Sequence, residues 1–212
     1  MRPEAVGEPL EDLVAERLGG RARRGLRWLN ELPAEQAERE LLACCGSRRW
    51  AARVAAARPF ADAASLANAA GQVFEALGPD DWLEAFAAHP RIGERAVASP
   101  TPPGGDPGPA AGASEQALGA SAPTPGASWS RAEQAGVGDA DPSVLAALAE
   151  GNLAYERRFG HVFLVFASGR RAEDLLAALH QRLDNDPDME LRVAAAEQRK
   201  ITGLRLDRLV GR

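Results

Sequence analysis

His89 is one of three histidines in the chain, and its setting differs from that of the other two. It closes an apolar helical pattern containing Trp82, Leu83 and Phe86 and stands immediately before Pro90, where the residue preceding proline is pushed out of helical conformation. Such an imidazole projects from a helix end and titrates near neutral pH, as a general acid or base requires. A histidine that merely complements a helix dipole fits the same position. His161 opens an apolar run, and His180 shares what reads as a solvated face with Arg171 and Arg182. The second candidate is Ser130-Arg131-Ala132-Glu133-Gln134. Its spacing is that of a capping box, with Ser130 as N-cap and Glu133 reaching back. A helix N-terminus is equally a site for an anionic substrate.

Other chemistries are poorly served. No two histidines have metal-ligand spacing, and adjacent Cys44 and Cys45 are unlike a C-x-x-C pair, so no metal site is expected. Lys200 is the only lysine available for a Schiff base. Gly104, Gly105 and Gly108 lie among prolines, without the strand and helix that a dinucleotide fingerprint needs, so no nucleotide cofactor is indicated.

The elements that must position these groups are helical. Of the 212 residues only 5% are aromatic, while Ala, Leu, Glu and Arg dominate, a composition suited to helices rather than pleated sheet. The chain is expected to be all-α, a single-domain helical bundle. Helices are predicted over 8–18, 34–45, 48–57, 62–77 and 79–88, separated by Gly19-Gly20, Pro33, Gly46, Pro59 and Gly78-Pro79. Two more lie near the C-terminus. Leu175, Leu176, Leu179 and Leu183 mark one apolar stripe, and Met189, Val193 and Ala196 mark the next, in a helix that starts at Pro187 and runs to about Leu209. Val162-Phe163-Leu164-Val165-Phe166 is the exception, since its β-branched and aromatic content suits an extended, buried passage.

Between Ser99 and Ser128 there are seven prolines and six glycines with almost no large apolar side chain, so a long disordered Pro/Gly-rich insertion is expected there. The formal charge of −5 gives no support for binding nucleic acid. No apolar stretch suits a membrane helix, and no signal segment precedes the pattern. Adjacent cysteines cannot staple distant parts of the chain, which suits a reducing compartment. A cytoplasmic protein is expected, with no membrane or nucleic-acid partner.

Several stretches together resemble the 2-oxo-4-hydroxy-4-carboxy-5-ureidoimidazoline (OHCU) decarboxylase family. They are Leu29-Asn30 with Leu32-Pro33, Arg58-Pro59-Phe60, Ala88-His89-Pro90-Arg91-Ile92-Gly93, Ser130-x-x-Glu133-Gln134, Asn152-x-x-Tyr155 with Arg158-Phe159-Gly160, Arg182-Leu183-Asp184-Asn185, and Lys200-Ile201-x-x-Leu204-Arg205-Leu206. In order and spacing they cover about residues 26–210 of a domain taken as 1–212. Two segments depart from the family pattern: Cys45-Gly46-Ser47-Arg48-Arg49-Trp50 stands where the family often has Glu-His-Ser-Pro-Trp, and Phe159-Gly160-His161-Val162-Phe163 replaces Phe-Gly-Phe-Pro-Phe. The link from His89 to Ser130 is also longer than the family's.

The resemblance implies an all-helical homodimer that uses neither a metal nor an organic cofactor and ends the conversion of urate to (S)-allantoin. It implies His89 and Glu133 as catalytic groups, and Pro90, Ser130, Gln134, Arg205 and the backbone of Phe163, Leu164 and Val165 around a small ureidoimidazoline substrate. That substrate carries its own electron sink, a C=N bond beside the carbon that loses carbon dioxide, so the protein need only orient the carboxylate and manage protons. Arg205 suits a bidentate fork for a carboxylate or carbonyl, and as an ordinary surface charge on a terminal helix it would need no such role. Two other functions are compatible with the sequence: decarboxylation of a related ureide acid, and a non-catalytic helical interaction module.

Overall fold

The computed structural model describes residues 10–93, 127–138 and 140–211. Among them every regular element is helical: α1 (Leu10–Glu31), α2 (Ala34–Cys45), α3 (Arg48–Ala56), α4 (Ala63–Glu75), α5 (Pro79–Ala87), α6 (Ala127–Glu133), a 3-10 turn at Ala135–Val137, α7 (Pro142–Phe159), α8 (Ala172–Arg182) and α9 (Pro187–Val210). The all-α expectation holds. The chain forms two compact units, one of Met1–Ala85 with Ala195–Arg212 and the other of Phe86–Ala194.

Local sequence sets most of the first unit's helix ends. Ser47 caps α3 by accepting from the Trp50 amide at 3.2 Å, and Asp62 and Ser65 form a reciprocal capping box at the start of α4. The core of this unit buries Leu29, Leu41, Trp50, Leu66, Phe74 and Leu209, with the Trp50 indole donating to the Ala70 carbonyl at 3.0 Å. Arg58 joins the turn after α3 to the end of α1, donating from Nη1 to the carbonyls of Leu29 (2.7 Å) and Leu32 (2.8 Å). Asn30 and the Phe60 backbone exchange two bonds of 2.9 Å. The Asn30 and Arg58-Pro59-Phe60 stretches therefore tie one end of this unit together.

Two expectations about the helices need correction. The predicted break at Gly19-Gly20 does not occur, and α1 runs on to Glu31. Glycine costs a helix about 1 kcal/mol relative to alanine, whereas burial of Leu26 and Leu29 and backbone contact of Gly25 with Val210, too close for any Cβ, favour continuing it. The stripe assigned to Met189, Val193 and Ala196 is also wrong: Met189 is 53% exposed and α9 instead buries Glu190, Ala194, Gln198, Ile201, Thr202 and Arg205. A reading by apolar periodicity misses a buried face that carries this many polar groups.

In the second unit the core gathers Ile92, Leu148, Tyr155, Phe163, Leu175 and Leu179. Helix α7 lies outside the predicted set. Its start has the expected signals all the same, Asp141 accepting from the Ser143 amide at 2.8 Å with Pro142 in the first turn, and Gly160 ends it at φ +75°. The run from Val162 to Ala167 lies outside regular structure, with Phe163, Leu164 and Val165 buried, as its composition suggested. Most of the insertion expected at 99–128 lies outside the described residues. Its last two positions, Ala127 and Ser128, belong to α6.

Candidate active site

Helix α5 ends at Ala87 and the chain turns, with the His89 amide donating to the Phe86 carbonyl at 3.0 Å. His89 and Pro90 are half-buried in the bend that follows, as the His-Pro dipeptide predicts. The turn closes on Gly93 at φ +79°, a left-handed conformation that favours glycine. Three side chains from elsewhere in the second unit fasten this loop. Gln134 Oε1 accepts from the Gly93 amide at 3.1 Å. Asn152 Nδ2 donates to the Ile92 carbonyl at 2.9 Å. Arg91 forms a two-pronged pair with Glu156, at 2.6 and 2.7 Å, and this guanidinium holds the Glu156 carboxyl below its ordinary pKa. The His-Pro-x-x-Gly loop, the Ser-x-x-Glu-Gln stretch and the Asn-x-x-Tyr helix are therefore joined by hydrogen bonds.

Ser130 and Glu133 are 4% and 7% exposed, deep burial for a hydroxyl and a carboxyl side chain. They lie three residues apart on one side of α6. The capping-box reading fails here, since α6 begins at Ala127 and places Ser130 within the helix instead of at its N-cap. The pattern matched the local rule, but the helix starts at Ala127, ahead of the Arg131 start that Ser130 as N-cap would require.

Phe163, Leu164 and Val165 run through the same unit. Phe163 packs edge-on against Tyr155 with centroids 5.2 Å apart. His161 lies against Phe86 (5.2 Å), Tyr155 (5.4 Å) and Phe159 (6.3 Å), and burial lowers its pKa from the usual 6.5. His180 is exposed, as expected. Arg182, read with it as solvated, is instead buried. It donates to Glu190, to the Tyr155 hydroxyl (3.3 Å) and to the Leu164 carbonyl (2.7 Å). The Tyr155 hydroxyl in turn donates to Glu190, and Asn185 Nδ2 donates to Glu190 Oε2 at 2.6 Å. Burial, followed by the Glu190 hydrogen bond, pushes the Tyr155 phenol far above its usual range.

Arg205 belongs to the first unit. It is 3% exposed, so the surface-charge alternative does not hold; its Nη1 donates to the Ala43 carbonyl at 3.5 Å. Nearby Cys45 is fully buried, and desolvation pushes its thiol up to about 11. A groove of ≈ 200 Å³ in this unit, lined by Leu66, Ala70, Phe74, Thr202, Leu206 and Val210 among others, includes none of the candidate residues. Among the described residues no group of His, Cys, Asp and Glu is arranged to hold a metal ion.

Sequence reasoning assigned no role to Glu156 or Glu190. Glu156 carries a usable signal, since Asn152, Tyr155 and Glu156 share a helical face at i, i+3 and i+4. Glu190 carries none, because an acidic residue in a first turn normally reads as a dipole partner in solvent.

The described residues thus form an all-helical fold in which the loop bearing His89 is hydrogen-bonded to Gln134, the residue next to buried Glu133. The model of the OHCU decarboxylase family matches residues 30–207, and the chain belongs to that family. The uric acid degradation bifunctional protein TTL of Arabidopsis thaliana is 35% identical over 175 residues, covering 82% of this chain and 48% of that protein. The 2-oxo-4-hydroxy-4-carboxy-5-ureidoimidazoline decarboxylase of Amia calva is 35% identical over 77 residues, or 36% of this chain and 44% of that protein. The chain thus spans a little under half the length of these curated relatives. A crystal structure of OHCU decarboxylase in the presence of (S)-allantoin matches with a TM-score of 0.61 at 31% identity, over 82% of this chain and 99% of that one. One of (S)-allantoin synthase matches with a TM-score of 0.55 at 19% identity, over 85% of this chain and 52% of that one, a likeness of fold alone.

Proposed function

We propose that this chain, acting as one domain over residues 1–212, decarboxylates 2-oxo-4-hydroxy-4-carboxy-5-ureidoimidazoline to (S)-allantoin, with His89 and Glu133 as its acid–base pair. The observation that carries this reading is the Gly93–Gln134 hydrogen bond of 3.1 Å, which joins the loop bearing His89 to the stretch bearing Ser130 and Glu133 in a member of this family.

The reaction requires little beyond positioned protons. The bond from the ring carbon to the carboxylate breaks, carbon dioxide leaves, and its electron pair forms an enol with the neighbouring carbon while the C=N nitrogen takes up a proton. The enol hydroxyl then loses its proton to become a carbonyl, and the neighbouring carbon gains one on a single face. His89 serves the hydroxyl and carboxylate end, and Glu133 the ring or ureido edge. Ser130 and Gln134 hydrogen-bond ureido and ring amide groups, Arg205 receives a carboxylate or carbonyl, and Pro90 with the Phe163, Leu164 and Val165 backbone bounds the ring. The intrinsic electron sink makes a metal or organic cofactor unnecessary in this scheme.

The protein is further read as a cytoplasmic homodimer, on the family resemblance and on two adjacent cysteines that are both buried and not joined in a disulfide. Among the described residues no helix is long and apolar enough to cross a membrane. Sedimentation velocity at micromolar concentration tests the dimer.

The activity is tested by generating the substrate in situ from urate with the two preceding enzymes, then following loss of its optical signal and the handedness of the allantoin formed. Catalysed loss with an excess of the (S) product is expected; a rate equal to the spontaneous background with racemic product would reject the reading. A related ureide acid is a second reading, favoured by His161, whose ring packs on Phe86 and lies two residues before Phe163. It would show as slow turnover of the ureidoimidazoline beside faster turnover of another imidazoline acid.

A further inference from the structure

We propose that Arg182 is a positioning residue for substrate binding, setting the direction of the Phe163–Val165 backbone from a buried cluster that itself makes no contact with substrate. The inference rests on the reading above, in which that backbone bounds the substrate ring.

The segment lies outside regular structure, so no strand ladder determines where its amides and carbonyls point. Arg182 supplies that control at two adjacent residues. Its Nη1 donates to the Leu164 carbonyl at 2.7 Å, and its guanidinium carbon stands 4.8 Å from the centre of the Phe163 ring. The arginine is held in turn. Nε donates to Glu190 Oε1 at 2.8 Å, Nη2 donates to the same oxygen and to the Tyr155 hydroxyl, and Asn185 occupies the other Glu190 oxygen at 2.6 Å. Both partners are sequestered, with side-chain exposures of 10% for Arg182 and 0% for Glu190.

A buried ion pair is weak support for stability, because desolvation offsets much of its attraction. A rigid guanidinium fork is well suited to a directional task, since its donors have fixed geometry where a lysine ammonium is a flexible point charge. One carbonyl orbital of Leu164 is thereby taken up by the protein, and rotation of the 163–165 peptides away from this geometry breaks the bond.

The test is steady-state kinetics on the full chain with Arg182→Lys and Tyr155→Phe. Lysine keeps the charge opposite Glu190 but cannot span Leu164, Glu190 and the Phe163 ring together. Removing an interaction made equally in the ground and transition states raises KM and leaves kcat unchanged. Arg182→Lys is expected to raise KM about tenfold with kcat within about threefold of wild type, the change that loss of one well-placed hydrogen bond gives. Tyr155→Phe leaves the Leu164 bond in place and loosens only its support, so KM should rise about threefold. A solely structural role would lower the folded fraction and the melting temperature, reducing apparent kcat at constant KM, and that result would overturn the inference. If Arg182→Lys yields no folded protein, a folded Tyr155→Phe with wild-type KM would overturn it equally. Failure of wild type to exceed the spontaneous background would instead reject the proposed reaction, and with it this role.

Discussion

At the scale of single residues, His89 and Glu133 can be separated by conservative changes. His89→Asn preserves bulk and polarity in the bend before Pro90 and should lower the decarboxylation rate by on the order of 10²–10⁴, the usual contribution of a positioned proton-transfer group. Background-subtracted turnover measures it, with a thermal melt to verify folding; unchanged turnover in the folded variant would remove His89 from the mechanism. Glu133 stands at the end of α6 and Ser130 inside it, so Glu133→Gln takes away no N-cap. Its melting temperature should shift little while its turnover collapses. Cys45 supplies a contrast. Fully buried, with its thiol pushed up to about 11, it should react with a thiol reagent at pH 8 only as fast as the chain unfolds, which progress curves across a urea series would reveal.

At the scale of elements, the loop after α5 is held from outside. Its fastenings to Gln134, Asn152 and Glu156 come from α7 and the residues just after α6. Gly93→Ala isolates the backbone part. An added Cβ would meet Val137 and Leu145 only at ordinary contact distances, 3.7 and 3.9 Å, so the cost is that of φ +79° alone, about 1–2 kcal/mol. Urea unfolding should show that loss, and kcat should fall with it because the same loop carries His89. The Arg91–Glu156 pair is partly exposed, at 40% and 23%, so its worth is about 1 kcal/mol or less. The loop's composition suggests its turn, since proline and glycine bracket it. Its anchors were hidden, because Asn152 and Glu156 lie 60 and 65 residues from their partners and nothing local reports contacts at that separation.

At the scale of the whole molecule, stability should fall with acidification in two stages. Burial lowers the His161 pKa from 6.5; the Val162 carbonyl and Glu190 favour its charged form, and Arg182 opposes it. Below pH 6.5 the unfolded chain takes up a proton that the folded chain resists, so stability decreases as pH drops through that range. His161→Phe should flatten this first stage in a series of melts against pH. A slope unchanged in the variant would show that another group is responsible. The second stage belongs to carboxylates. Glu156, held low by Arg91, and Asp62 and Asp141, held low by their bonds to Ser65 and Ser143, have depressed values. Their stabilisation is present above the ordinary carboxylate range near 4 and disappears as pH falls through the folded values.

Local composition by itself determined the helical class, the ends of α2 to α5, the start of α9 at Pro187 and the buried non-helical passage at Val162–Phe166, because caps, prolines, glycines and β-branched runs act within a turn or two of chain. It also marked His89 and the Ser130–Gln134 stretch as candidates, for which a helix-dipole partner and a capping box served as well; the family resemblance gave them catalytic and binding roles and added Pro90, Arg205 and the 163–165 backbone. Tertiary structure alone decided that α1 continues through its glycines, that Ser130 lies inside a helix, and that Arg182, Glu190 and Arg205 are buried. Each depends on partners far along the chain. A charged side chain faces water or the interior according to whether distant groups satisfy its hydrogen bonds, and a glycine pair breaks a helix or not according to what its neighbours bury against. Those balances are struck only when the folded chain brings the partners together.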